Sequence, residues 1–242
     1  MMAGSSPSCD WNRLLVDVCT QRDFLERGAI LQVANLDTLI PSLRRLFEWA
    51  DAAWTPIVSA VESHRPTEPV SGYHMHCVDG TPGQKKLAFT LLDPWILVET
   101  DNYLSLPPDL TQDYRQIIFR KRTRDVLSNP KADRFLTHLK ADEFIVFGVG
   151  LERAVKSVAL GLLSRHKSVT VVTDACGYWS AADAELAVRQ LLAKHIRLTT
   201  VAEITTSRPQ PKPGARVRGE RHRLDHARSN GSRCSRSGAV RH

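Results

Sequence analysis

Residues 143–174 read EFIVFGVGLERAVKSVALGLLSRHKSVTVVTD. Glu143–Gly148 is an apolar run of strand length. Arg153–Arg165 follows at once with the apolar spacing of an amphipathic helix. Ser168–Asp174 is another strand, rich in β-branched residues. A strand, a helix and a strand in immediate succession make a βαβ unit, which calls for a parallel sheet with helices packed on it.

The same alternation extends outward in both directions. Trp11–Val18 is a short apolar run that predicts a buried strand. Leu36–Trp54 carries Leu39, Ile40, Leu43, Leu46, Phe47 and Ala50 at helical spacing, and Pro41 fits the first turn. Ile57–Val61 is a second strand, and Ala88–Glu99 and Gln116–Arg120 are strand-like. Asn129–Leu139 is a helix with Pro130 at its start. Ala181–His195 is a helix, and Ile196–Val201 closes the sheet. Near-continuous apolar strands indicate burial on both faces. The expected fold is α/β, a three-layer sandwich around a mostly parallel sheet, spanning residues 11–206.

Composition narrows the class further. The chain has 242 residues, 42% of them hydrophobic, enough for one sizeable core. No apolar run approaches the roughly 20 residues of a membrane span, so no membrane association is expected. The five cysteines (Cys9, Cys19, Cys77, Cys176 and Cys234) are odd in number and widely spaced. That pattern reads as reduced thiols in a cytoplasmic protein rather than a disulfide framework. The net charge of +7 is unevenly placed. Residues 207–242 hold ten Lys/Arg and two Asp/Glu, which leaves 23 basic against 24 acidic residues for 1–206. The tail has almost no aliphatic residues and is expected to be disordered, as are residues 1–10, read as a flexible N-terminus. A basic arm of this kind can hold nucleic acid, although it lacks interleaved aromatics for base stacking.

In open parallel sheets the chemistry lies beyond the carboxyl ends of the strands. Those ends carry Asp17, Glu62, Lys121, the turn from Gly148 to Ala154, and Asp174. An acid and a lysine beside a strand-to-helix turn suit an activated nucleophile, and first-turn backbone N–H groups suit an oxyanion. Asp174 reads as a turn or helix-capping residue. Trp54, Trp95 and Trp179 are core or pocket aromatics.

Four segments in order resemble the isochorismatase-like cysteine hydrolases, the family of nicotinamidases and N-carbamoyl amidohydrolases. They are LLVDVCTQRDF at 14–24, HCVDGTPGQKK at 76–86, IIFRKRTRDVLSNPKADRFL at 117–136, and residues 145–175. The resemblance implies a Rossmann-like strand order, a small amide or carbamoyl substrate, a homo-oligomer and a catalytic triad. It places the base at Asp17, the lysine at Lys121, and the nucleophilic cysteine at the position held by Ala154. Gly150, Leu151 and Ala154 would supply the oxyanion-binding backbone. The family's usual threonine falls on Leu151, while Glu152 is kept. A methyl group cannot attack a carbonyl, and losing a covalent nucleophile removes several powers of ten in rate. The resemblance therefore implies an impaired or inactive homologue. Two alternatives stand beside it: an active amidohydrolase using Cys19 or a metal-bound water, and a nucleic-acid-binding protein working through the tail. Nicotinamidases of this family bind a divalent metal through Asp-x-His and a later His. Glu62, His64 and His76 occupy similar places, a donor set suited to zinc, iron or manganese.

Overall fold

The computed structural model describes residues 11–67, 74–100, 105–107 and 110–206. The expectations for residues 1–10 and 207–242 lie outside the described residues. Seven strands form one sheet: β1 (Trp11–Val18), β2 (Ile57–Glu62), β3 (Trp95–Val98), β4 (Gln116–Lys121), β5 (Ala141–Val149), β6 (Val169–Gly177) and β7 (Arg197–Thr199). Their order is β3-β4-β2-β1-β5-β6-β7, and every pairing is parallel. The chain runs from β1 outward through β2 to one edge, then returns beside β1 and runs to the other. The order reverses between β1 and β5, the point where open parallel sheets place their ligands.

The helices are α1 (Arg22–Leu25), α2 (Leu36–Ala52), α3 (Leu110–Asp113), α4 (Pro130–His138), α5 (Lys156–Ser164), α6 (Ala181–Ala193) and α7 (Val201–Thr206). α2 packs against β6 and α7, whereas α5 packs against α6 and, through the Arg165–Asp133 ion pair, α4. This is the α/β sandwich that the alternation predicts. Leu14–Val18 and all of β2 are buried, as strands covered on both faces must be. Among the described residues no helix is long and apolar enough to cross a membrane.

Several boundaries differ from the sequence reading, each for a local reason. Ala88–Glu99 is not one strand. A 3-10 turn occupies Ala88–Thr90, and β3 begins only after Pro94. The Gln116 side chain accepts from Leu92 N and donates to Thr90 O, holding that segment as a loop. Ile196–Val201 contributes only the three residues of β7, because Asp174 Oδ1 accepts from Val201 N at 2.8 Å and starts α7 there. Asp174 is thus the capping residue expected. Asn129 caps α4 by accepting from Lys131 N at 3.0 Å, directly before Pro130.

β5 approaches β1 closely at Gly148. The β5–β6 register shifts between Val146 and Gly148, and Gly148 has φ +121°. A Cβ there would lie 2.7 Å from Val18 N and closer still to Val18 O, both backbone atoms of the neighbouring strand. Only glycine meets both demands. Gly148→Ala is expected to cost at least about 2 kcal/mol, read as a lowered urea midpoint with far-UV circular dichroism retained. A midpoint equal to the parent's would contradict this packing.

Candidate active site and metal centre

The strand ends bring two buried cations against two buried carboxylates. Asp17, in register with Ser59 of β2, is fully buried. Its Oδ2 accepts from Ser59 Oγ at 2.8 Å, from Thr20 Oγ1 at 3.1 Å, and from Lys86 Nζ. Lys121, in register with Glu62, donates from Nζ to Glu62 Oε1 at 2.6 Å and to Thr123 O at 3.0 Å. Asp17 and Lys121, the base and lysine that the resemblance implies, are therefore not paired with each other. Each residue has its own partner, and the sequence reading missed Lys86 altogether.

The group that stands beside Lys121 is Cys19. Continued strand alternation would place it on Asp17's side. Instead Cys19 adopts φ +56°, and its Sγ lies 3.7 Å from Glu62 Oε1. Burial pushes the Cys19 thiol up to about 12, against the opposing pull of the Lys121 charge. The Cys77 and Cys176 thiols are raised too, by burial above all. Burial disfavours both charged partners, but their mutual attraction wins. Glu62 is held well below the usual carboxylate range by Lys121 and by hydrogen bonds from His64 and His76. Lys121 is raised by Cys19 and Glu62.

Glu62, His64 and His76 converge as the sequence suggested. Glu62 Oε2 lies 2.9 Å from His76 Nε2 and 3.4 Å from His64 Nε2, all three residues are buried, and their ligand atoms lie within 4.8 Å of one another. His76 Nδ1 meets His74 O at 2.8 Å, the outer contact that orients an imidazole ligand. His74 supplies this backbone oxygen. One carboxylate and two imidazoles fit a divalent transition metal with open positions for water or ligand.

After β5, Gly150 sits in the left-handed region (φ +86°), and the chain enters a wide turn, Leu151–Val155, in which Val155 N bonds Gly150 O at 3.0 Å. Ala154 lies in this first turn and is buried. The Gly150 N–H is already bonded to Gly177 O at 2.9 Å, so it is not a free oxyanion donor. Leu151 and Ala154 keep their first-turn placement. Glu152 Oε1 accepts from Trp179 N at 2.8 Å and from Ser180 N, fixing the turn to the chain after β6.

Trp179 and Phe24 stand edge-to-face at 5.8 Å, and Phe24 meets the His76 ring at 5.4 Å, which makes an aromatic wall beside the histidines. Trp54 and Trp95 are elsewhere and largely exposed. Phe24 belongs to the QRDF segment, whose polar members are structural. Gln21 Nε2 donates to Glu62 O at 2.8 Å while its Oε1 accepts from Glu62 N at 2.7 Å, and Asp23 Oδ2 accepts from Cys77 N at 2.6 Å.

A doubly wound parallel sheet with a lysine, a strand-to-helix turn and a carboxylate–histidine cluster at the carboxyl ends of its strands describes a hydrolase-type site. Residues 14–203 match the Isochorismatase domain family, and the chain belongs to it. The chain is 28% identical to the nicotinamidase of Escherichia coli (strain K12) over 176 residues, which cover 67% of this chain and 81% of that protein. An isochorismatase-like hydrolase from Alkaliphilus metalliredigens superposes with TM-score 0.64 at 21% identity, covering 81% of this chain and 98% of its own. The pyrazinamidase of Pyrococcus horikoshii in complex with zinc does so with TM-score 0.61 at 20% identity, covering 78% and 99%. The chain is an isochorismatase-like, nicotinamidase-type hydrolase homologue.

Thiolate, not thiol, is the reactive form of cysteine. Iodoacetamide at pH 8 should therefore leave Cys19, Cys77 and Cys176 unmodified in the native protein and label all three after unfolding, as read by peptide mass spectrometry. Rapid native labelling of Cys19 would contradict the burial found here.

Proposed function

We propose that this homologue binds a small amide or carbamoyl compound at the β1–β5 switch point and does not hydrolyse it by the thiol route. The observation that carries the reading is Ala154, a side chain without a nucleophile in the first turn after Gly150. Lys121 is the ammonium of the site, and Leu151 and Ala154 offer the backbone of the oxyanion-binding turn. The base position next to Lys121 is filled by the Cys19 thiol rather than by Asp17, whose carboxylate is committed to Lys86. Cys19 is a poor substitute nucleophile, because a thiol raised to about 12 is protonated at neutral pH.

Glu62, His64 and His76 are the ligands of a divalent metal in this reading, with zinc the first choice from their chemistry and from the zinc complex of the Pyrococcus relative. When bound, such an ion supplies Lewis-acid polarisation and orientation of a donor atom on the ligand. Phe24 and Trp179 shield one side of that ligand from water, and Lys121 keeps Glu62 ionised as a ligand. After dialysis against zinc, the protein should retain about one ion per chain by elemental analysis, while the His64→Ala/His76→Ala variant should retain none. No retention by the parent would contradict the metal assignment.

Restoring the chemistry tests the rest. The parent should release no ammonia from nicotinamide above buffer. Ala154→Cys supplies a thiol, and Cys19→Asp added to it supplies a carboxylate beside Lys121. The double variant should release ammonia at least tenfold faster than either the parent or Ala154→Cys alone. A folded double variant with no gain counts against a preserved amide site. Parent turnover abolished by Cys19→Ser would establish the Cys19 hydrolase instead.

A further inference from the structure

A groove of about 1120 Å³ shares Lys86 with the site just described but is lined by none of Asp17, Cys19, Glu62, His64, His76, Lys121 or Ala154. Its floor is the outer part of the sheet, where Leu97 of β3 and Ile118 of β4 present apolar side chains. Its walls are the first half of α2 and the loop around Leu87. Trp95, 41% exposed, stands at the β3 edge.

The rim is basic, and its charges are not equivalent. Arg22 is paired with Glu26, Arg27 with Asp37, Lys86 with Asp17, and Arg120 with Glu99. Arg44 and Lys85 have no carboxylate partner among the described residues. Arg44 is nevertheless held in place, with its guanidinium carbon 4.2 Å above the Phe89 ring, a contact that leaves its N–H donors unspent. An apolar trough flanked by one positioned guanidinium and one exposed ammonium is complementary to an apolar body that ends in an anion.

We propose that this groove binds a single-chain amphiphile with an anionic head, the chain lying along Leu87, Leu97 and Ile118 and the head meeting Arg44 and Lys85. The anion can be a carboxylate or a phosphate monoester, since both offer oxygens to a guanidinium fork. A neutral or cationic head of the same chain length has no partner on this rim.

The experiment titrates the full-length protein with laurate, dodecyl phosphate, dodecanol and dodecyltrimethylammonium below their micelle concentrations, using calorimetry and the emission of Trp95, with Trp95→Phe identifying that signal. Laurate or dodecyl phosphate, or both, should saturate at one per chain, at least tenfold tighter than dodecanol. The ratio between the two decides which anion the groove prefers. Arg44→Glu/Lys85→Glu alters only exposed side chains and should weaken the anionic ligands at least tenfold with an unchanged melting temperature. Leu97→Glu should abolish their binding. Equal binding of all four heads, no saturable binding, or indifference to the charge reversal overturns the proposal. So does a dimer in solution that shields Trp95 from acrylamide and is split by the charge reversal, because the occupant would then be a second copy of the chain.

Discussion

The Lys121–Glu62 ion pair is the constraint on which the site depends. Two charges with almost no access to water sit on adjacent strands, directly opposite one another in register. Removing one partner of such a pair strands the other and costs about 3–5 kcal/mol. Neither residue is free to drift. The pair fixes the ends of β2 and β4, and through Glu62 it fixes both histidines. Glu62 is thus shared by an ammonium and two imidazoles. A second pair, Asp17–Lys86, does the same work for β1 and the loop before β3, backed by Ser59 and Gln116.

The Lys121–Glu62 pair sets a pH window for the folded state. The depressed Glu62 acidity stabilises the fold above the carboxylate's unfolded value and is lost as the medium is acidified through the folded one. The raised Lys121 basicity stabilises below the lysine's unfolded value and is lost as the medium becomes alkaline beyond it. The two contributions overlap across the neutral range.

Much of the fold was legible because a parallel sheet covered on both faces writes itself as apolar runs. Trp11–Val18 and Ile57–Val61 were found nearly to the residue, and the helices beginning at Leu36, Pro130 and Ala181 were marked by periodicity and by Asn129 and Pro130. Ala88–Glu99 misled because its apolar residues serve a loop held by Gln116, 24 positions from Leu92. The site was legible in its residue types and less so in its partnerships. Glu62, His64 and His76 converge because a strand end and a loop bridge, His64 to Val78, bring them together. Asp17 was assigned as base from its place at the end of β1, which says nothing about the partner its side chain takes. The left-handed turn at Cys19, for which cysteine gives no sequence cue, puts the thiol beside Lys121 instead. Lys86 was hidden in a loop whose path only the fold defines.

In the proposed reading, alanine rather than cysteine at position 154 has an effect beyond turnover. A working thiolate is also the first target of peroxide, which converts it to sulfenic and then sulfinic acid. This chain carries a methyl group at Ala154, and burial pushes the Cys19 thiol up to about 12. In the proposed reading, a ligand held at the strand ends is not lost through oxidation at position 154, because a methyl group offers peroxide no sulfur.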